Sequence, residues 1–392
     1  MSQSPSIIGP SCLAALVAAS AAAAAGPAPR VVCSDIPGHP TSVVPGAPGY
    51  RFEGVSNENG AKESPFGRPQ VGVSTSRWYL RSTVVDPAGH HGEVILVGAG
   101  ETVRVLDSLP VAPAASAPLG ASDPLASMVV RRAEGGLVRL HEALVGASST
   151  APASGGPNLL PAVGPESGAV PFLPAAWFVA PGGDWLVRGV DVSGSHWVFR
   201  NGAVAAAGGR PVTHNSEDGE RFAVTGTAAE PMVFFSMQAN RLGDVVIGGR
   251  TDAAGAGADS VVVFNRQRIV VRTGDGVDLD GDGVALEGVT IGAFDPDGAV
   301  LSDEGWFYFT ASLRGTGGEP LGHALLRVRI CRADWDGSGE ADAADIGAFL
   351  TSWMTPAGPD GTPGDFDGDG VATGADVTAF LRAWSEAVAE GC

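Results

Sequence analysis

Positive charge is what this chain has least of. Across 392 residues it carries 24 Lys and Arg against 43 Asp and Glu, a formal net charge of −19. No stretch gathers the basic residues into a patch, so nothing would neutralise phosphates and no nucleic-acid partner is expected. Cysteine is also scarce, with four residues, Cys12, Cys33, Cys331 and Cys392. None stands in a CxxC spacing or a His/Cys cluster, which argues against a zinc site. Beyond the N-terminus no apolar run approaches membrane length, so no transmembrane span is expected. Catalytic motifs are missing as well. The segment GVSTS at Gly72 lacks the strand–elbow–helix setting of a nucleophile. Ser195 and His196 are neighbours on an expected strand, so their side chains point to opposite faces. His90 and His91 near Glu93 suit a solvated turn better than a metal site.

What is present begins with an apolar run from Cys12 to Ala25 that ends in small residues. It suits a secretory signal over residues 1–25 with cleavage near Ala23–Ala25, although no Lys or Arg precedes it. A secreted, extracellular or cell-surface location follows. Residues 26–47 are rich in proline and are expected to pack poorly.

Residues 48–330 read as mainly β, because Gly and Pro punctuate short runs of Val, Phe and Trp. Hairpin-like pairs recur. They are Arg77–Val85 with Val94–Leu106, Ala126–Arg132 with Gly136–Val145, and Asp184–Val190 with His196–Gly202. Asp244–Gly249 with Ser260–Thr273 and Gly305–Ala311 with His323–Ile330 follow. Several begin after a polar turn with glycine, as in NRLGDVV at Asn240 and SDEGWFYF at Ser302. A lone hairpin cannot bury both faces, so such units should pack together. A β-propeller-like repeat domain is the first expectation, with a β-sandwich or irregular multi-sheet domain as the alternative. Pro110–Ser122 and Ser148–Pro174 read as long surface loops. Trp177, Trp185, Trp197 and Trp306 are candidates for sugar stacking, with core packing the stronger expectation.

The most informative pattern lies in residues 331–392. DWDGSGEADAAD runs from Asp334 to Asp345, and DFDGDGVATGAD runs from Asp365 to Asp376. Both are twelve-residue calcium loops in form. Positions 1, 3, 5, 9 and 12 hold Asp334, Asp336, Ser338, Asp342 and Asp345 in the first. They hold Asp365, Asp367, Asp369, Thr373 and Asp376 in the second. The position-7 carbonyls belong to Glu340 and Val371. A hard cation takes six to eight oxygens at about 2.3–2.6 Å, and alternate loop residues deliver them. Ile346, Phe349, Leu350 and Trp353 then repeat at one-face helical spacing, as do Val377, Phe380, Leu381 and Trp384. Two Ca2+ are expected here. A third acidic loop, with Asp278, Asp280 and Asp282 at positions 1, 3 and 5, lacks the closing carboxylate and could hold a further ion only with help from elsewhere.

Paired loops, each followed by one helix and closed by Asp, resemble a type I dockerin. CRADWDGSG and the terminal Gly391–Cys392 resemble the GC-ended dockerin-like anchor of secreted bacterial proteins. The resemblance implies a cohesin-like or other surface receptor. Positions 10 and 11 hold Ala343–Ala344 and Gly374–Ala375, not the Ser-Thr-like pair common in cohesin-binding dockerins, which counts against a standard cohesin. Cys331 and Cys392 bracket the module, so a disulfide between them would clasp its ends. Cys33 is left over, either free or paired between chains. The function expected is a secreted, non-catalytic β-repeat protein docked through this module. The alternatives are a carbohydrate-active enzyme, or a glycan- or protein-binding domain, carried by the same module.

Overall fold

The computed structural model describes residues 28–56, 62–71, 78–99, 102–105, 129–131, 137–139, 172–180, 184–201, 203–213, 219–227, 231–252, 260–356, 362–367 and 371–390. The expected signal segment, Asp369, Cys392, Pro110–Ser122 and Ser148–Pro171 lie outside these residues.

The chain is mainly β. Strand β1 is Arg30–Ser34, β2 Arg51–Phe52, β3 Gln70–Val71, β4 Trp78–Val85, β5 His91–Ala99 and β6 Thr102–Val105. Strands β7, Val129–Arg131, and β8, Leu137–Arg139, pair only with each other. Next come β9 Phe172–Val179, β10 Trp185–Asp191, β11 His196–Arg200 and β12 Ala203–Ala207. They precede β13 Phe234–Ala239, β14 Val245–Arg250, β15 Ser260–Phe264 and β16 Arg268–Arg272. Strands β17 Thr290–Leu301, β18 Trp306–Arg314 and β19 Pro320–Arg329 come before helices α1 Ala343–Trp353 and α2 Gly374–Glu390.

Four larger sheets form, all antiparallel. β9–β12 and β13–β16 are meanders in chain order, and β2–β6 form a third sheet. The fourth has the order β1-β19-β18-β17. Strand β1 comes from the segment expected to pack poorly. That expectation is corrected: Arg30–Ser34 pairs along β19 from Arg327 to Ala324. Val31 and Cys33 are buried on its two sides, so apolar burial outweighs the local proline content. Phe172–Pro174, expected to end a loop, likewise begin β9.

The strands are apolar without alternation because the sheets are buried on both faces. Within β15, Val262 and Phe264 pack toward the β17–β19 sheet, while Val261 and Val263 pack toward β10 and β13. In β18, Phe307 and Phe309 face β13–β16, and Tyr308 faces Trp78 and Leu80 of the β2–β6 sheet. The packing order is therefore β9–β12, β13–β16, β17–β19 with β1, then β2–β6.

A shared turn marks the repeat. Asp86, Asp191, Asn240 and Ser302 each open a turn whose fourth residue is glycine at positive φ, namely Gly89, Gly194, Gly243 and Gly305. The opening side chain accepts backbone N–H groups ahead of it, as Asp191 Oδ1 does from Ser193 and Ser195. Such Asx-type turns need a small polar residue first and an unhindered left-handed residue later. A second correspondence lies deeper. Asn201 Oδ1 accepts from Trp185 N while its amide donates to Asp184, and Asn265 does the same with Val245 and Asp244.

β1 is pinned by a titratable contact. Asp35 Oδ1 accepts from His323 N at 2.6 Å, and His323 Nδ1 lies 3.9 Å from Asp35 Oδ2. The Asp35 carboxylate raises the His323 pKa above its ordinary 6.5, against burial, and Asp295 adds to the rise. A raised histidine contributes stability that is complete below its unfolded pKa and lost as pH rises through the folded value. Amide protection factors in β1 are therefore expected to fall as pH rises above the ordinary histidine value. His323→Gln should remove this pH dependence. Protection in β1 that is flat with pH in the wild type would contradict it.

Candidate metal centres

Asp334, Asp336 and Asp345 offer one oxygen each within 4.8 Å of one another, and so do Asp365, Asp367 and Asp376. Local hydrogen bonds shape both loops in the same way. Asp345 Oδ1 accepts from Trp335 N and Asp336 N, at 2.6 and 3.0 Å, and its Oδ2 accepts from Asp342 N at 2.8 Å. Asp376 takes the equivalent bonds from Phe366 N, Asp367 N and Thr373 N at 2.8, 3.1 and 2.6 Å. Position 12 thus folds each loop back on itself before any ion is considered. Position 9 does a second job. Asp342 caps α1 by accepting from Ala344 N, and Thr373 Oγ1 accepts from Ala375 N. Ser338 Oγ donates to the Glu340 carbonyl at 3.2 Å, so positions 5 and 7 of the first loop also adjoin. Val371, at position 7 of the second, is exposed.

The donor set fits a hard cation. Asp334 is buried, and its Oδ1 makes no hydrogen bond. Burial pushes the Asp345 carboxyl above its ordinary range, and the neighbouring Asp336 charge adds to this, although backbone N–H groups pull the other way. Among the described residues, the first three carboxylates share the single positive charge of Arg268, at Asp334, and a bound cation would supply the rest.

The two halves mirror each other. Phe349 and Phe380 stack with centroids 4.2 Å apart and planes 7° from parallel. Trp335 packs edge-on to Phe349 at 5.0 Å, and Phe366 edge-on to Phe380 at 5.5 Å. Trp353 Nε1 donates to Thr373 O at 2.8 Å, and Trp384 Nε1 donates to Asp342 O at 2.7 Å. A tryptophan on each helix therefore bonds to position 9 of the other loop. Of the residues at one-face helical spacing, Phe349 and Phe380 are fully buried and Trp353 and Trp384 are half-buried against them. Trp335 and Phe366, at loop position 2, share the centre with the two phenylalanines. Leu381 is exposed.

The module rests against the β-domain. Arg268 on β16 pairs with Asp334 and donates to the Cys331 carbonyl at 2.8 Å. Arg332 pairs with Asp244 at 2.8 Å and lies over the Phe366 ring. Cys33 is a free, buried thiol, and burial pushes its pKa up to about 12, so it is chemically quiet. Cys331 is not among the free cysteines. No disulfide joins two described residues, and Cys392 lies outside them.

Asp278, Asp280 and Asp282 also converge within 4.8 Å. Asp278 is buried, with both oxygens taken by Gly281 N and Gly283 N. Val289, at the twelfth position, sits in the core, so this loop supplies no closing ligand. His90 and His91 join no metal-ligating group among the described residues. Trp185, Trp197 and Trp306 are half-buried; Arg327 and Arg329 cover the Trp306 ring at 4.8 and 5.5 Å.

One convergence was not expected from the sequence. Pairing of β17 with β18 jumps from Phe294↔Ala311 to Ala299↔Phe309, so Asp295–Gly298 bulge opposite Thr310 alone. Asp297 has φ 57°, and a Cβ on Gly298 would stand 2.1 Å from Thr310 Oγ1. The bulge carries Asp297 to Arg188 of β10, at 2.9 Å, and to Arg68 just before β3, at 3.4 Å. Phe235 of β13 stacks on Phe294 at 5.3 Å. Four sheets thus meet around β17. The signal in the sequence was DPDG within an apolar run, since proline and a left-handed residue break a ladder.

Comparison with known proteins adds little. No family model matches the chain, and no curated protein matches it. Among solved structures, it is similar to a protein of unknown function from Dyadobacter fermentans DSM 18053 at 13% identity and TM-score 0.21, covering 72% of this chain and all of that one. A structure named glucose dehydrogenase matches at 13% identity and TM-score 0.19, over 68% of this chain and 83% of the other. At these TM-scores neither likeness supports an argument about fold or function.

Proposed function

We propose that this is a secreted, non-catalytic β-repeat protein held to a surface receptor by a calcium-dependent, dockerin-like C-terminal module. The observation that carries the reading is the matched pair of carboxylate clusters, Asp334/Asp336/Asp345 and Asp365/Asp367/Asp376, joined by reciprocal tryptophan bonds. Oxygen-only donors at this loop spacing favour Ca2+ over transition metals, which prefer nitrogen and sulfur. Asp369 and the carbonyls of Glu340 and Val371 complete the proposed ligand sets. The proposed receptor is cohesin-like or another surface protein. Asp278, Asp280 and Asp282 form a weaker third candidate, because no closing carboxylate comes from their own loop.

Calorimetry of the full chain with calcium should show two ions bound at the C-terminal module; one ion or none would sink the proposal. The mass of the exported protein reads two further features, the removal of residues 1–25 and the mass deficit of a Cys331–Cys392 bridge. A full-length mass with both thiols alkylated would count against them.

The β-domain is read as a propeller. Its four sheets pack in succession, β1 completes the β17–β19 sheet, and β7–β8 belong to the stretch available for a fifth. Val187 and Phe199 form an apolar cluster on the other face of the β9–β12 sheet, and Ile95 and Val97 of β5 are buried outside the β2–β6 cluster. A ring would cover both faces. An experimental map with nothing packed between the β2–β6 and β9–β12 sheets would overturn this reading.

A further inference from the structure

The module meets the β-domain through residues of the acidic loops themselves. Arg268 opens β16, and its guanidinium reaches position 1 of the first loop. Nη1 donates to Asp334 Oδ2, and Nη2 donates to the Cys331 carbonyl at 2.8 Å. The stem of Arg268 lies along position 4, where a Cβ on Gly337 would stand 3.8 Å from its Cδ. Both partners are largely out of water, with Arg268 at 15% side-chain exposure and Asp334 at 4%. The other arginine contact is of a different kind: Arg332 joins Asp244 to the Phe366 carbonyl, at 2.8 and 3.1 Å. Arg268 alone of the two bears on a proposed ion ligand.

Asp334 is closed as the loop stands. Its Oδ2 accepts from Gly339 N at 3.1 Å as well as from Arg268, and its Oδ1 is buried. An ion centred among Asp334, Asp336 and Asp345 can use position 1 only if this carboxylate shifts, and Arg268 is the group that holds it. Two cations then bear on one carboxylate. Like charges a few ångströms apart repel, and a partly buried pair is screened little by salt. Calcium loops are tuned by the charge at their ligands, so a fixed positive charge on position 1 weakens the site. Linkage makes the effect mutual. Whatever factor Arg268 takes from ion affinity, the ion takes from the Arg268–Asp334 pair.

We infer that Arg268 is a latch between the β-domain and the module that opposes calcium at the first loop: β16 holds Asp334 through Arg268, and an ion entering among Asp334, Asp336 and Asp345 loosens that hold. Calcium thus fills the loop and eases the module off β16 in one step. The inference rests on the calcium reading of the module and adds a control on it that comes from the β-domain.

The test uses the full chain and calcium chloride. An Asp367→Ala background weakens the second loop, so calorimetry reads the first. There Arg268→Met is expected to tighten calcium binding about tenfold, and Arg268→Lys, which keeps the charge, to stay within about threefold of its parent. In the wild-type chain, the Arg268 guanidinium N–H signals, identified by their loss in Arg268→Lys, should exchange with water faster once calcium is added. This measurement needs no charge-removing variant, and it decides the matter if Arg268→Met does not fold. Affinity unchanged or weakened in a folded Arg268→Met protein, equal tightening in Arg268→Lys, or guanidinium exchange that calcium slows or leaves alone would each overturn the latch. An ion that binds the first loop regardless of Arg268 sinks the latch and spares the calcium reading. No ion at the first loop in parent or variant would overturn both.

Discussion

Asp345→Ala is expected to leave the full chain binding one calcium ion instead of two and to destabilise the module even without metal. Asp345 is fully buried and accepts from the backbone N–H groups of Trp335, Asp336 and Asp342. Removing it strands three donors, each costing on the order of 1–3 kcal/mol when buried. Even at the low end the sum is a large share of the stability of a small unit. Asp376→Ala should behave the same way through Phe366, Asp367 and Thr373. The informative contrast is Asp336→Ala. Asp336 is exposed, so its loss should weaken ion binding and leave metal-free melting near the wild type. Calorimetry and thermal unfolding followed at Trp335 read both effects. An Asp345→Ala protein that keeps two ions and its melting temperature would refute the argument.

The second large effect belongs to the β-domain. Asp297→Asn should cost about 3–5 kcal/mol, because it leaves a buried guanidinium without its carboxylate. Arg188 Nη2 donates to Asp297 at 2.9 Å, and burial already pulls the Arg188 pKa down, with the neighbouring Arg68 charge adding to this and Asp297 opposing it. Asparagine tolerates the left-handed φ of 57° at this position, so the loss is electrostatic and not one of backbone strain. The double variant Arg188→Met/Asp297→Asn should regain most of the stability, since removing both charges also removes the desolvation penalty. Urea denaturation midpoints of the wild type and the two variants decide it. A single variant as stable as the wild type would show that the pair holds nothing together.

Much of this was legible in the chain. The hairpins at Asp184, Asp244 and Gly305 correspond to β10–β11, β14–β15 and β18–β19 because β-branched and aromatic runs end at turn residues. Their companion strands were harder. β13 and β9 carry Ser, Gln and Pro among their apolar residues, and β17 is interrupted by DPDG. The ladder of a neighbouring strand, not local pattern, decides such segments.

By itself, the sequence determined what is local: the turns, the two acidic loops with their glycines, and the amphipathic helices behind them. Each follows from the conformational preference or the charge of residues a few positions apart. Only the tertiary structure decided the rest. It placed β1 beside β19, added Trp335 and Phe366 to Phe349 and Phe380 at the centre of the module, and brought Arg68, Arg188 and Asp297 together. These contacts join residues up to hundreds of positions apart. Their energy comes from burial and charge pairing between surfaces that no short segment contains.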